Sequence, residues 1–183
     1  MKTDPLIPLS FRPKNPQKTT ALLGAFCLFL STVEYMIPKP LPFMRLGIAN
    51  LPLLLALDIF SFPAFVLLVA LKIFGQALVT GTLFSYIFLF SLAGTVVSAF
   101  SMYFLRRLVG PKALSLIGVS VVGALLSNLI QLVLAGIFVF GESVRYIAPP
   151  FLAAGLITGF ILGFFCEYFI RRSSWYWSNR LYR

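Results

Sequence analysis

Six runs of apolar residues fill most of the chain, and they constrain its fold more than any other feature. The runs cover residues 19–37, 46–60, 62–80, 84–105, 114–140 and 146–170. A transmembrane helix needs about 20 mostly apolar residues to cross a hydrocarbon core of roughly 30 Å. The runs therefore predict an all-α integral membrane protein, a bundle of six transmembrane helices.

The second run is the shortest, and Pro52 lies near its start, so we expect it to begin as a partly unwound segment. Of the 183 residues, 60% are hydrophobic and 11% are charged, which leaves no room for a separate soluble domain. The predicted organisation is a cytoplasmic segment over residues 1–18, a transmembrane domain over 19–170 and a basic, aromatic cytoplasmic tail over 171–183.

The distribution of Lys and Arg predicts the orientation of the bundle. With the N-terminus inside, eleven of these residues are cytoplasmic, whereas only Lys39, Arg45 and Arg145 fall in outer loops. Such a bias follows the positive-inside rule and supports an even number of crossings, with both termini in the cytoplasm. We therefore expect a multi-pass protein of the bacterial cytoplasmic, or inner, membrane. The net charge of +10 is explained by topology and does not indicate nucleic-acid binding.

The chemistry of the chain excludes several classes of site. There is no histidine, and the two cysteines, Cys27 and Cys166, lie inside apolar runs. A Cys/His zinc site and a histidine-based catalytic triad are therefore excluded. We expect no metal and no resident cofactor.

Polar side chains at membrane depth are the candidate site, because an uncompensated charge there costs at least about 2.5 kcal/mol. Lys72 lies ten residues into the third run, about 15 Å deep at 1.5 Å per residue. The other candidates come from four runs or their outer ends, and we expect the set to form a pocket that opens outward. The predicted substrate-binding residues are Glu34, Arg45, Asn50, Lys72, Gln76, Asn128 and Gln131.

Two interpretations of this set stay open. Arg45 and Lys72 would favour a ligand that carries phosphate or carboxylate. Alternatively, Lys72 pairs with Glu34 or with carbonyl groups, and the amides only join helices. Outside the set, we expect Asp58 to cap the following helix and Arg106, Arg107 and Lys112 to act as topology determinants.

Small residues at four-residue spacing predict close helix packing. Gly155, Gly159 and Gly163 form such a series in the sixth run, and packing inside the bundle is the favoured interpretation. Ala21 and Ala25 form a pair at the start of the first run.

Several segments together resemble one bacterial membrane family, known as Gx transporter or heptaprenyl diphosphate synthase component I. They are Glu34-Tyr-Met-Ile-Pro38, Arg45-Leu-Gly-Ile-Ala-Asn50, Ser91-Leu-Ala-Gly94, Gly118-Val-Ser-Val-Val-Gly-Ala124 and Asn128-Leu-Ile-Gln131. The resemblance runs from about Ala21 to Phe165. The family usually has Lys where Arg45 stands and often His at the position of Ser127.

This family is in turn similar to the substrate-binding S components of energy-coupling factor (ECF) transporters, which have six helices and bind a vitamin-like solute from outside. The resemblance implies that Ala21 and Ala25 dock a transmembrane coupling subunit that works with ATPases, with internal packing as the equal alternative. It also implies association with flavin-transferring and quinone-linked redox systems, so a flavin or an isoprenoid precursor is the expected cargo.

The residues argue against enzyme activity for the chain alone. Prenyl diphosphate synthases hold magnesium and diphosphate with paired aspartates, whereas this chain has only Asp4 and Asp58, far apart in sequence. The leading hypothesis is a solute-binding membrane transport component. The alternative is a non-catalytic membrane subunit that assists a prenyl diphosphate synthase.

Overall fold

The fold is known from a computed structural model, which describes residues 16–38, 47–110, 114–174 and 176. All regular structure in these ranges is helical. The α-helices are α1 (Pro16–Met36), α2 (Leu51–Ala56), α3 (Phe62–Val79), α4 (Tyr86–Val109), α5 (Leu116–Ala135) and α6 (Val144–Arg172). A 3₁₀ turn, Ile48–Asn50, leads directly into α2, and Gly136–Phe140 continues α5 as a π-helical turn.

Local sequence explains where the long helices begin and end. The hydroxyl oxygen of Ser85 accepts a hydrogen bond from the Ile87 N–H at the start of α4, and Ser115 does the same for Gly118 in α5. At its other end, α4 stops at Gly110, whose φ of 81° is a conformation that other residues rarely adopt. These signals place the helix ends within about four residues of the predicted boundaries.

Within the described residues, four helical stretches are long and apolar enough to cross a membrane: Gln17–Met36, Phe62–Val79, Tyr86–Val109 and Leu116–Arg172. The last has 57 residues, far more than one crossing needs. The backbone turns near Gly141, which has a φ of 53°, and α6 packs back along α5. The prediction of an all-helical, multi-pass membrane protein is thus confirmed at this level, and its six-helix count stays a prediction.

The glycine series of α6 lies at the contact with α5. Each glycine brings the α6 backbone against a residue earlier in α5: Gly155 lies beside Asn128, Gly159 beside Val121 and Gly163 beside Ile117. Positions rising along α6 therefore meet positions falling along α5, so the two helices are antiparallel. The predicted packing role of these glycines is confirmed.

The predicted second span is much shorter as a helix than its apolar run. The 3₁₀ turn and α2 together have nine helical residues, which rise about 15 Å, half the hydrocarbon thickness. All six residues of α2 are buried within the bundle. The segment between Met36 and Gly47, including Arg45, lies mostly outside the described residues, so the upper part of this crossing is not described.

An ion pair between Asp58 and Arg106 lies after the C-terminal end of α2 and connects it to the end of α4 and the start of α5. Arg106 of α4 donates from Nε and Nη2 to the two carboxylate oxygens of Asp58, at 3.0 and 2.8 Å, and from Nη1 to the Leu114 carbonyl oxygen at 2.7 Å. The Tyr176 hydroxyl donates to the same carboxylate at 3.1 Å. Asp58, Arg106, Leu114 and Tyr176 are called the end network below.

The contacts of the end network bear on the predictions for Asp58, Arg106 and the C-terminal tail. Asp58 does not cap α3, whose N-cap is Ser61, because its carboxylate is committed to Arg106. Arg106 is only 7% exposed and is a buried structural partner as well as a basic residue at a helix end. Tyr176, which belongs to the predicted cytoplasmic tail, is buried in the bundle. Lys112 and most of the predicted segments 1–18 and 171–183 lie outside the described residues.

The α5–α6 contact predicts the effect of adding one methyl group. In Gly163→Ala the new Cβ would lie 2.5 Å from the Ile117 Cα, and backbone cannot move aside as a flexible side chain can. We expect a loss of about 1–3 kcal/mol of stability, measured by thermal unfolding in detergent. Gly24→Ala is the matched control, since its Cβ would meet Leu71 at an ordinary 3.5 Å. Equal unfolding temperatures for the two variants would contradict the packing.

The end network predicts a second stability effect. Asp58→Asn leaves the buried Arg106 guanidinium without its counter-charge, so we expect a loss of about 3–5 kcal/mol in thermal unfolding. Adding Arg106→Gln to Asp58→Asn should restore part of that loss, because the double variant buries no unpaired charge. Additive losses in the double variant would show that the pair is not coupled.

Candidate functional site

A buried cavity lies where the helices meet, and each α-helix except α2 contributes to it along with the 3₁₀ turn. Six of the seven predicted site residues line it: Glu34, Asn50, Lys72, Gln76, Asn128 and Gln131. Five of these side chains are at most 4% exposed, and Asn50 is intermediate. The seventh, Arg45, lies outside the described residues. Six residues predicted to form one site therefore share one cavity.

The charged end of the cavity is built around Lys72, in the middle of α3. Its ammonium group donates a hydrogen bond to Oδ1 of Asn50, the last residue of the 3₁₀ turn. Gln76 lies one turn further along the same face of α3. A lysine at this depth requires polar partners, and the turn before α2 supplies one of them.

Glu34 positions that turn. One carboxylate oxygen accepts the Gly47 N–H and the other accepts the Ala49 N–H, both at 3.2 Å. The two N–H groups belong to the start of a short helical segment, where backbone donors lack partners within the helix. Glu34 therefore fixes the turn that carries Asn50, and this anchoring is a role that the sequence did not reveal.

The other end of the cavity is neutral and rich in amides and hydroxyls. Asn128 donates from Nδ2 to the Phe151 carbonyl oxygen at 2.9 Å, so it ties α5 to α6. Gln131 donates from Nε2 to the Ser127 hydroxyl oxygen at 3.0 Å, while its Oε1 has no hydrogen-bond partner among the described residues. The Ser98 hydroxyl is likewise buried without a partner there.

Glycines make space for both amides. A Cβ on Gly94 of α4 would lie 2.7 Å from Gln131 Nε2 and 2.9 Å from the Ser127 hydroxyl oxygen. A Cβ on Gly155 of α6 would collide with the Asn128 side chain. The two amides are thus held against neighbouring backbone, which limits the positions that they can adopt.

The hydroxyl-bearing residues of the lining were not predicted from the sequence. Besides Ser127, they are Thr95, Ser98, Ser120 and Thr158. A signal was present, because Ser91, Thr95 and Ser98 recur at helical spacing on α4 and all are buried. Ser120 lies only four residues into α5, so the polar lining also extends beyond the predicted outer half toward the end network.

The cavity is nearly closed. Its volume is about 20 Å³, room for about one water molecule, whereas ligand pockets for small organic molecules typically measure about 300–1,000 Å³. The expectation of an outward-open pocket is therefore wrong for this conformation. A solute larger than water requires the lining helices to separate.

The alanine pair of α1 faces away from the cavity. Ala21 and Ala25 are both exposed, and Ala25 borders an apolar groove of about 560 Å³ that also includes Phe29 and Phe169. Of the two interpretations, internal packing does not fit this placement. Docking of a partner subunit stays a prediction.

The described part of the chain has no group of three His, Cys, Asp or Glu side chains that could hold a metal ion. Cys27 and Cys166 are both buried free thiols. The arrangement can bind a polar group through hydrogen bonds and one ammonium group.

Fold and cavity together define a class: a multi-pass helical membrane protein with a buried polar site among its helices. A sequence profile of the family described as heptaprenyl diphosphate synthase component I matches residues 23–169. The chain belongs to this family, which confirms the resemblance drawn from the motifs. Neither a curated protein nor a solved structure matches the chain.

Anchoring of the turn by Glu34 is testable. Glu34→Gln keeps one acceptor oxygen but places an NH₂ donor opposite a backbone N–H, so one buried donor loses its partner. We expect a loss of about 1–3 kcal/mol in thermal unfolding. Glu142→Gln, the same change at an exposed position, should have little effect. If both variants unfold at the wild-type temperature, Glu34 does not hold the turn.

Proposed function

We propose that this protein is a membrane transport component that binds a small organic anion in its buried polar cavity and moves it across the membrane. The observation that carries the proposal is the cavity itself, with Lys72 and Gln131 buried and Asn50 partly buried among largely apolar helices. Ionisable residues inside a membrane domain mark substrate or ion pathways more often than structure alone. The expected solute is a flavin or an isoprenoid or quinone precursor.

Electrostatics support an anionic ligand. Among the described residues that line the cavity, Lys72 is the one cationic side chain and Glu34 the one acidic side chain. Both Glu34 oxygens accept backbone N–H groups, whereas the Lys72 ammonium group donates to the Asn50 side chain. A phosphate or carboxylate could displace the Asn50 side-chain oxygen from the ammonium group and form a charge-assisted hydrogen bond, which is shorter and stronger than a neutral one.

Broken helices at the site support transport in particular. Beside Lys72, the helical structure of the second segment begins only after Gly47, which has a left-handed φ of 79°, and such a break resembles transporters whose discontinuous helices form the binding site. Because the cavity holds only about 20 Å³, binding must be coupled to movement of its walls. Such coupling between a ligand and helix rearrangement is what a transport component requires.

Energy for transport would come from partner subunits, because the sequence contains no nucleotide-binding loop. The exposed Ala21 and Ala25 face of α1 is the proposed docking surface for a transmembrane coupling subunit that works with ATPases. The inner membrane of a bacterium is the proposed location.

A second candidate follows from the family description, which names a component of heptaprenyl diphosphate synthase. In that role the chain would be a non-catalytic membrane subunit that assists a soluble prenyltransferase. Catalysis by the chain alone is disfavoured, because the Asp58 carboxylate is bound to Arg106 and the sequence contains no paired aspartates. Copurification of a soluble prenyltransferase, together with no solute binding, would favour this candidate.

The transport proposal predicts the effect of removing the cavity's ammonium group. We expect purified wild-type protein in detergent to bind flavin mononucleotide or geranyl diphosphate in equilibrium dialysis. Lys72→Met should weaken that binding by about 2–5 kcal/mol, since the anion loses its charged partner. Lys18→Met, which removes an exposed lysine outside the cavity, is the matched control and should bind as the wild type does.

Two outcomes would contradict the proposal. One is equal affinity in Lys72→Met and wild type, which would place any bound anion elsewhere. The other is failure of wild-type protein to bind either probe while a soluble prenyltransferase copurifies with it.

A further inference from the structure

Two buried polar atoms in the cavity have no hydrogen-bond partner among the described residues: Gln131 Oε1 and the Ser98 hydroxyl oxygen. Gln131 and Ser98 are each 1% exposed. Burying a polar group without a partner costs about 1–3 kcal/mol, so such groups in a folded protein call for an explanation. Both residues line the same cavity as Lys72.

The Gln131 side chain is held in place. Its Nε2 donates to Ser127, and the backbone of Gly94 lies close behind the amide. Its conformation therefore leaves Oε1 as an acceptor with no donor in the part of the chain that the structure describes. Ser98 lies one helical turn from Gly94, about 6 Å further along α4, so the two unsatisfied groups lie at different depths of the cavity.

Resting on the proposed function, we propose that the solute carries an N–H or O–H donor that binds Gln131 Oε1, in addition to the anionic group that binds Lys72. Gln131 is then the residue that determines specificity. Ser98, which can donate or accept, binds a second polar atom of the same solute. The solute class is a polar organic anion, such as a heterocycle or polyol with a phosphate or carboxylate.

This requirement separates the two expected cargoes. A prenyl diphosphate satisfies Lys72 with its diphosphate, but its hydrocarbon body offers no donor to Gln131 or Ser98. Sites built to bind a donor discriminate strongly against analogues that lack it, because the buried acceptor is left unpaired. A flavin phosphate carries ring N–H and ribityl O–H donors together with its anionic group.

The test compares two anionic probes on four forms of the full-length protein in detergent: wild type, Gln131→Leu, Ser98→Ala and Gln17→Leu. The probes are flavin mononucleotide, which has donors, and geranyl diphosphate, whose hydrocarbon body has none. We expect wild type to bind flavin mononucleotide at least tenfold more tightly. Gln131→Leu should weaken flavin mononucleotide binding roughly tenfold to a hundredfold without weakening geranyl diphosphate binding.

Ser98→Ala removes only a hydroxyl group, so it still tests the inference if Gln131→Leu does not fold. It should also lower the preference for flavin mononucleotide. Gln17→Leu, at an exposed position outside the cavity, should preserve the wild-type preference. Tighter binding of geranyl diphosphate by wild type, or an unchanged preference in Gln131→Leu and Ser98→Ala, would overturn the inference. Failure of both probes to bind wild type would contradict the proposed function itself, and the inference would fall with it.

Discussion

A lysine ammonium in the middle of a membrane-spanning helix needs polar partners, because the surrounding hydrocarbon provides none. Lys72 has one in Asn50, the last residue of the short 3₁₀ turn before α2. Glu34 holds this turn, because its carboxylate accepts hydrogen bonds from two backbone N–H groups there. The polar cavity, the broken second segment and the end of α1 thus depend on one another.

The buried helix α2 connects this cavity to the opposite end of the bundle. Asn50 immediately precedes α2, and Asp58 follows its last residue by two positions. Asp58 binds Arg106, which also holds the Leu114 carbonyl oxygen at the start of α5. The site and the end network are therefore the two ends of one short, fully buried element. A displacement of α2 on ligand binding would therefore move both Asn50 and Asp58.

The sequence predicted five long helices well, because sustained apolar runs with serine, proline and glycine at their ends leave few alternatives. It also predicted six residues of the cavity, since amides and charges are rare at membrane depth. Glu34 as an anchor and the pair of Asp58 with Arg106, 48 residues apart, were missed because apolar periodicity carries no information on which distant polar groups meet. The closed state of the cavity depends on how the helices pack, which the runs do not specify.

The central claim is that the buried polar cavity is a binding site for a small organic anion. Native mass spectrometry of the gently purified wild-type protein tests it most directly, because bound solutes and partner subunits are weighed in one spectrum. If the cavity is such a site, the spectrum will contain a noncovalent adduct with the mass of a polar organic anion, released on collisional activation. A spectrum that shows only the bare chain, or only phospholipid adducts, would contradict it.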